Sequence, residues 1–253
     1  MVATMVDRRT MIAGLLTAFP AVAFVREARA VAYPSVPLRR WIEGQRSIAA
    51  DLREGRLSGR EWAAEVRRLA REVDVAEVHA ALKRADVGSV RHGASNDPEM
   101  RNVWFMGADG KRMRLGYATK LFEFSPTNVV TPHGHRHMAS AHMVIEGSFR
   151  VRNFDRLREE PDALIIRPTR DEVIGLGAAS TMSDEKDNVH WFVPRGGKPA
   201  TTFDVIISGL DEDEDPYRII AIDPVNAKPL SGGRLRAPKM GFEAASQRYT
   251  VDV

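Results

Sequence analysis

The sequence predicts a mainly β protein, an antiparallel barrel or sandwich with an N-terminal helical extension, and three observations predict it. Apolar residues recur at three- and four-residue steps between Leu38 and Ala85, the period of a helix. Gly, Ser, Asn, Asp and Pro then crowd the stretch from Val87 to Pro98, the composition of a linker. Beyond it, apolar residues fall in short runs separated by turn residues, the pattern of many short strands.

The elements follow in order. Residues 1–30 read as an export signal peptide: Asp7, Arg8 and Arg9 precede an apolar run from Met11 to Phe24, and Ala28-Arg29-Ala30 offers small residues for cleavage near Ala30. The paired arginines resemble a twin-arginine signal, although Asp7 stands where Ser or Thr is usual. The expected location is therefore periplasmic or secreted. Residues 31–95 form the helical extension and linker. Leu38, Trp41, Ile42, Ile48 and Leu52 mark a first helix, and Trp62, Val66, Leu69 and Val73 mark a second, with Ser58 and Glu61 at capping-box spacing before it. Asp74 to Ala85 reads as a third.

Residues 96–223 form the barrel. Strands are expected at Val103–Met106, Arg112–Tyr117, Lys120–Phe124, His142–Ile145, Ser148–Arg152, Leu164–Ile166, His190–Val193, Thr202–Ile207 and Tyr217–Ile222. The acidic run Asp211–Asp215 lacks the spaced ligands of a calcium loop and reads as a solvated turn. Residues 224–253, rich in Gly, Pro, Lys and Arg, are expected to wrap the surface as an irregular tail.

Composition narrows the chemistry. The chain has no cysteine, which removes thiolate ligands and cysteine nucleophiles and leaves nitrogen and oxygen donors for any metal. Net charge is +3, and two units of it belong to the first thirty residues. There is no basic stripe with interleaved aromatics, so nucleic acid is not an expected partner. Beyond the export signal no apolar stretch has membrane length, so no membrane span is expected there. The expected partner is a small-molecule substrate, with a homodimer as the expected assembly.

Five of the seven histidines fall in two windows: His133, His135, His137 and His142, then His190. Residues two apart on a strand share a face, so His133 and His135 can both point into a barrel. His190, from a distant strand, closes the site from another side. Together they are the candidate ligands of a divalent transition metal. His137 continues their phase, but a bend there would put it at the rim. Ser140 and His142 share a face of the next strand.

His133-Gly134-His135, Ser140 and Gly147, followed by His190, resemble the two motifs of the cupin superfamily in their spacing. The resemblance covers roughly residues 112–208 and implies a jelly-roll β-barrel with a metal inside it. Two departures stand out: Ser140 replaces the acidic ligand of the first motif, and Pro194 stands where an Asn often follows the second. A three-histidine set without the glutamate is similar to that of the thiol dioxygenases, which favours Fe(II), with Zn, Mn, Ni or Cu also compatible.

The resemblance implies an exported, metal-dependent oxidoreductase, a dioxygenase acting on a small molecule. A non-catalytic envelope protein that binds a metal or small molecule is the alternative, as is a redox-neutral isomerase or hydrolase. His142 is the candidate catalytic residue, with three open readings: a fourth ligand, an acid/base group beside the metal, or a histidine hydrogen-bonded within the barrel. Arg112, Arg114 and Arg150 are candidate anchors for a substrate carboxylate.

Overall fold

The computed structural model describes residues 28–31, 36–83, 96–211 and 219–252. Most of the expected export signal and the 84–95 linker lie outside them, as does most of the acidic run. An edge strand β1 (Ala28–Val31) is followed by helices α1 (Val36–Arg53), α2 (Gly59–Ala70) and α3 (Val75–Lys83). The capping box forms as the spacing requires, with Ser58 accepting from the Glu61 backbone and the Glu61 carboxylate accepting from the Ser58 backbone. Among the described residues no helix is long and apolar enough to cross a membrane.

Then come β2 (Glu99–Phe105), β3 (Ala118–Phe124), β4 (Val130–Gly134), β5 (Met138–Glu146), β6 (Phe149–Glu159), β7 (Ala163–Ile174), β8 (Ala179–Met182), β9 (Val189–Pro194) and β10 (Ala200–Ser208). The chain ends with β11 (Ile220–Ile222), β12 (Lys228–Leu230), β13 (Arg234–Met240) and α4 (Phe242–Arg248). One sheet runs β1-β2-β3-β10-β5-β8 and the other β11-β4-β9-β6-β7-β13-β12. Numbered from β3 to β10, the two central quartets interleave as first-eighth-third-sixth and second-seventh-fourth-fifth. That is the strand order of a double-sheet jelly roll with two Greek keys.

Strand alternation decides what each face meets. On β5, Ala139, Ala141, Met143 and Ile145 point outward and join Phe203, Val205 and Ile207 of β10 beneath the helices, in one buried cluster with Leu38, Trp41, Ile42, Trp62, Val66 and Leu69. Each such large side chain removed from water contributes about 1.5–3 kcal/mol. This sheet is covered on both faces, which explains its unbroken apolar runs. Ser140, His142 and Val144 point the other way, into the barrel.

The structure corrects two expectations. Arg112–Tyr117 is no strand: an isolated bridge joins Met106 to Arg112, and Leu115 and Tyr117 are instead buried beside α1, with the Tyr117 hydroxyl donating to the Ile42 carbonyl at 3.1 Å. Gly116, at φ 75°, breaks any extended run there. The tail is also not irregular. β12 and β13 form a hairpin through Gly232 and Gly233, both at positive φ. β13 pairs with β7 and β11, so the seven-stranded sheet closes on itself. The glycines that suggested a loop serve the hairpin turn, Pro229 and Pro238 lie within β12 and β13, and burial of Ala237, Ala245 and Tyr249 holds the segment down. Strand β8 was not anticipated from the sequence.

Candidate metal centre

Backbone register puts the chemistry on one level of the barrel. Across the first sheet, Lys120 pairs with Asp204, Asp204 with His142, and His142 with Ser180. Across the second, Asn153 pairs with His190, and His190 with His133. Ser180 Oγ donates to Asn153 Oδ1 at 3.3 Å and joins the two sheets. The result is a belt of polar side chains around the interior.

His133, His135 and His190 converge as the spacing predicts, their ligand nitrogens all within 4.8 Å of one another. His133 Nε2 lies 2.9 Å from His135 Nε2 and 3.0 Å from His190 Nε2. His133 Nδ1 donates to the Thr131 carbonyl at 2.8 Å, so in the neutral ring Nε2 is the bare nitrogen. A proton between two of these atoms satisfies one contact; an ion among all three satisfies every one. Nitrogens about 2.1 Å from one ion are about 3.0 Å apart at a right angle and about 3.4 Å apart at the tetrahedral angle. The two separations from His133 Nε2 are short enough for all three nitrogens to share one ion.

The rings are held neutral. Burial pushes His133 down to about 4, against the Thr131 carbonyl, with His142 adding a further lowering. Burial also puts His135 and His190 well below the usual histidine range, helped by the neighbouring imidazoles and, for His135, by the Arg156 guanidinium. Neutral lone pairs are what a metal requires. The donor set therefore fits a divalent transition metal.

Local packing explains the His-Gly-His order. A side chain at Gly134 would strike Asn188 Oδ1 at 2.9 Å. Asn188 Nδ2 donates to the His135 carbonyl at 2.9 Å, and Arg156 Nη1 donates to the same oxygen at 3.1 Å. His135 is thus clamped through its backbone just past the end of β4, where it is partly exposed. Gly147 has a similar role: at φ 73°, its missing Cβ would lie 2.7 Å from Ala200 Cβ.

His142 is not part of the converging set. Its Nδ1 lies 2.6 Å from Asp204 Oδ2 and its Nε2 2.9 Å from Ser140 Oγ. Its ring stands 5.0 Å from His190 and 5.1 Å from Phe192. In this geometry it stands beside the three histidines, and the fourth-ligand reading is not supported. His137 leaves the shared face: at φ 55° it turns the chain, and its Nδ1 lies 3.7 Å from Asp211 and 3.9 Å from Asp184 at the rim.

The arginine anchors are corrected. Arg112 stacks on Trp104 at 4.4 Å, and Arg150 makes a two-pronged pair with Asp171 at 2.7 and 2.8 Å. Arg114 is exposed on the segment that forms no strand. The guanidinium beside the site is that of Arg156. Sequence reasoning also missed Asp204, Asn153 and Asn188. A signal for Asp204 was present: it interrupts the apolar strand Thr202–Ile207, in phase with the inward face. Phe242, from the unexpected α4, places its ring 5.8 Å from His133 and is 41% exposed, forming an apolar lip.

No protein-family model matches the chain, and no curated protein matches it. Solved structures do. An oxalate oxidase in complex with glycolate shares 17% identity over 53% of this chain and 59% of its own, with a TM-score of 0.37. KdgF from Halomonas sp. shares 14% over 43% of this chain and 76% of its own, with a TM-score of 0.30. An uncharacterised Klebsiella pneumoniae protein with a double-stranded β-helix domain shares 14% over 36% and 65%, with a TM-score of 0.28. The chain thus spans under two thirds of the length of the oxalate oxidase it matches. Strand order and the convergence of three imidazoles identify the protein as a jelly-roll β-barrel with a candidate metal centre in its interior.

Proposed function

We propose that the barrel binds one divalent transition metal through His133, His135 and His190 and carries out a dioxygenase-like oxidation of a small molecule. The observation that carries this reading is the convergence of three histidine nitrogens, with His133 Nε2 2.9 and 3.0 Å from the other two. Three neutral nitrogen donors suit Fe(II), the metal favoured here, and are compatible with Zn, Mn, Ni or Cu. Such a metal supplies Lewis acidity and, when redox-active, electrons for O2 chemistry.

The chain's own residues supply the rest. His135 and Phe242 stand on the exposed side, where a substrate would enter. Phe192, Val144 and Val151 close the interior beyond the belt and exclude water. His142 presents Nε2, hydrogen-bonded to Ser140, for proton transfer, and Asp204 holds the opposite nitrogen.

Anaerobic loading with Fe(II), followed by O2 uptake on a panel of thiols and catechols, tests the reading. Uptake that disappears in His190→Ala is the expected result. Metal binding without uptake on any of them sinks the oxidative reading. Turnover with Zn or Mn in the absence of O2 would establish the redox-neutral enzyme, a reading that the His142–Asp204 pair favours. Export belongs to the same proposal, because the twin-arginine route carries folded proteins and lets the barrel take its metal in the cytosol. A reporter fused to residues 1–35 should lose export when Arg8 and Arg9 become Lys; continued export points to the general secretory route.

A further inference from the structure

Ser140 occupies the motif position of an acidic ligand, so the three neutral histidines carry none of a divalent ion's charge. The structure holds a buried carboxyl group nearby. Asp204 is 1% exposed, and its one hydrogen bond among the described residues runs from Oδ2 to His142 Nδ1 at 2.6 Å, leaving Oδ1 without a partner. Its in-register neighbour Lys120 donates Nζ to Met100 Sδ at 3.3 Å and feels the Asp204 charge only at longer range, where it offsets part of the burial that lowers the lysine. A carboxylate taken out of water, with an imidazole as its contact and a lysine only at longer range, is costly to hold charged unless further positive charge offsets it.

The hydrogen bonds run in one direction. A carboxylate only accepts, so His142 Nδ1 carries the proton and Nε2 of the neutral ring is bare. Nε2 therefore accepts the Ser140 hydroxyl proton across 2.9 Å, and the Ser140 oxygen is left as an acceptor. From the carboxylate the order is Asp204, His142, Ser140, and the His142 ring lies 5.0 Å from that of His190.

We propose that Asp204 is the counter-charge of the three-histidine centre, relayed through His142 and Ser140 in place of the acidic ligand that Ser140 replaces. This rests on the metal-centre reading. Asp204 acts as a positioning residue: it sets the tautomer of His142 and makes the interior hospitable to a cation without occupying a coordination position. The barrel then keeps its negative charge while leaving an extra position open to substrate.

The test is Mn(II) and Co(II) affinity, measured by chelator competition on purified protein never exposed to a nickel column. Asp204→Asn should weaken both metals about 10–100-fold, the usual cost of losing an outer partner of a metal site. Ser140→Glu placed on Asp204→Asn should restore affinity to within a few-fold of the parent, because the carboxylate is then supplied directly. Ser140→Ala, a small change that keeps the Asp204–His142 pair, should weaken binding several-fold and shift the visible absorption of bound Co(II).

Affinities within twofold of the parent in both Asp204→Asn and Ser140→Ala overturn the relay while leaving the metal centre intact. If Asp204→Asn does not fold, unchanged affinity in Ser140→Ala overturns it alone. A parent that binds neither metal, like His133→Ala/His190→Ala, overturns the metal centre and the relay together.

Discussion

Moving two residues along each strand carries His142 to Val144, His190 to Phe192, Asn153 to Val151, Asp204 to Thr202 and Lys120 to Phe122. The first set is the polar belt; most of the second belongs to the apolar cluster of Val144, Phe149, Val151, Phe192, Phe124 and Ile174. Both layers face the same interior on the same strands. The apolar layer is packed ring on ring, with Phe124 4.8 Å from Phe149 and Phe149 6.0 Å from Phe192. The belt retains polar atoms without partners among the described residues, such as Asp204 Oδ1, Asn153 Nδ2 and His190 Nδ1. Buried polar atoms are almost always satisfied in proteins, so open polar atoms beside three converging imidazoles suit binding more than stability. One period of a strand separates the two roles.

The comparison can be broken by exchanging what is lost. Phe192→Ala empties part of the apolar layer and should cost about 3–5 kcal/mol of stability in urea unfolding. The three ligand rings remain, so the folded variant should keep its metal. His190→Ala should do the reverse, with metal content falling from near one per chain to near zero and a smaller change in the metal-free midpoint. Equal loss of stability from both variants, with metal retained in His190→Ala, would erase the distinction between the layers.

A smaller effect sharpens it through pH. His133 is held at about 4 in the folded chain, below its unfolded value near 6.5, chiefly by burial. As pH falls, the unfolded chain takes up the proton first, so the stability is fully present above 6.5 and is lost between 6.5 and about 4. The contribution of His133 alone is on the order of 2 kcal/mol by pH 5. Urea midpoints of the metal-free protein at pH 7 and pH 5, set beside those of His133→Gln, measure it. An equal fall in both proteins would mean that the belt does not impose this cost.

Much of the architecture was legible because it depends on local period. The three helices, the Ser58–Glu61 box and most barrel strands follow from spacing alone, since a helix or strand displays its buried face at a fixed repeat. The tail failed for the same reason in reverse. Gly232, Gly233, Pro229 and Pro238 are breakers in isolation, and their segment becomes regular through pairing with β7 and β11. Arg112–Tyr117 alternated well enough for a strand, yet its apolar side chains had a better burial site against α1.

The candidate centre divides along the same line. The sequence by itself determined which imidazoles share a phase: His133 and His135 lie two apart, and His190 sits on a strand of matching pattern. It also placed Ser140 where the motif it resembles carries an acidic residue. The facing of Asp204 and His142, the clamp of Arg156 and Asn188 on the His135 carbonyl, and the reach of Phe242 to His133 arise only in the folded chain. The Asp204–His142 contact joins residues 62 apart in sequence. Such a contact is set by the register of two antiparallel strands and by the exclusion of water around them, and neither is encoded in a local repeat.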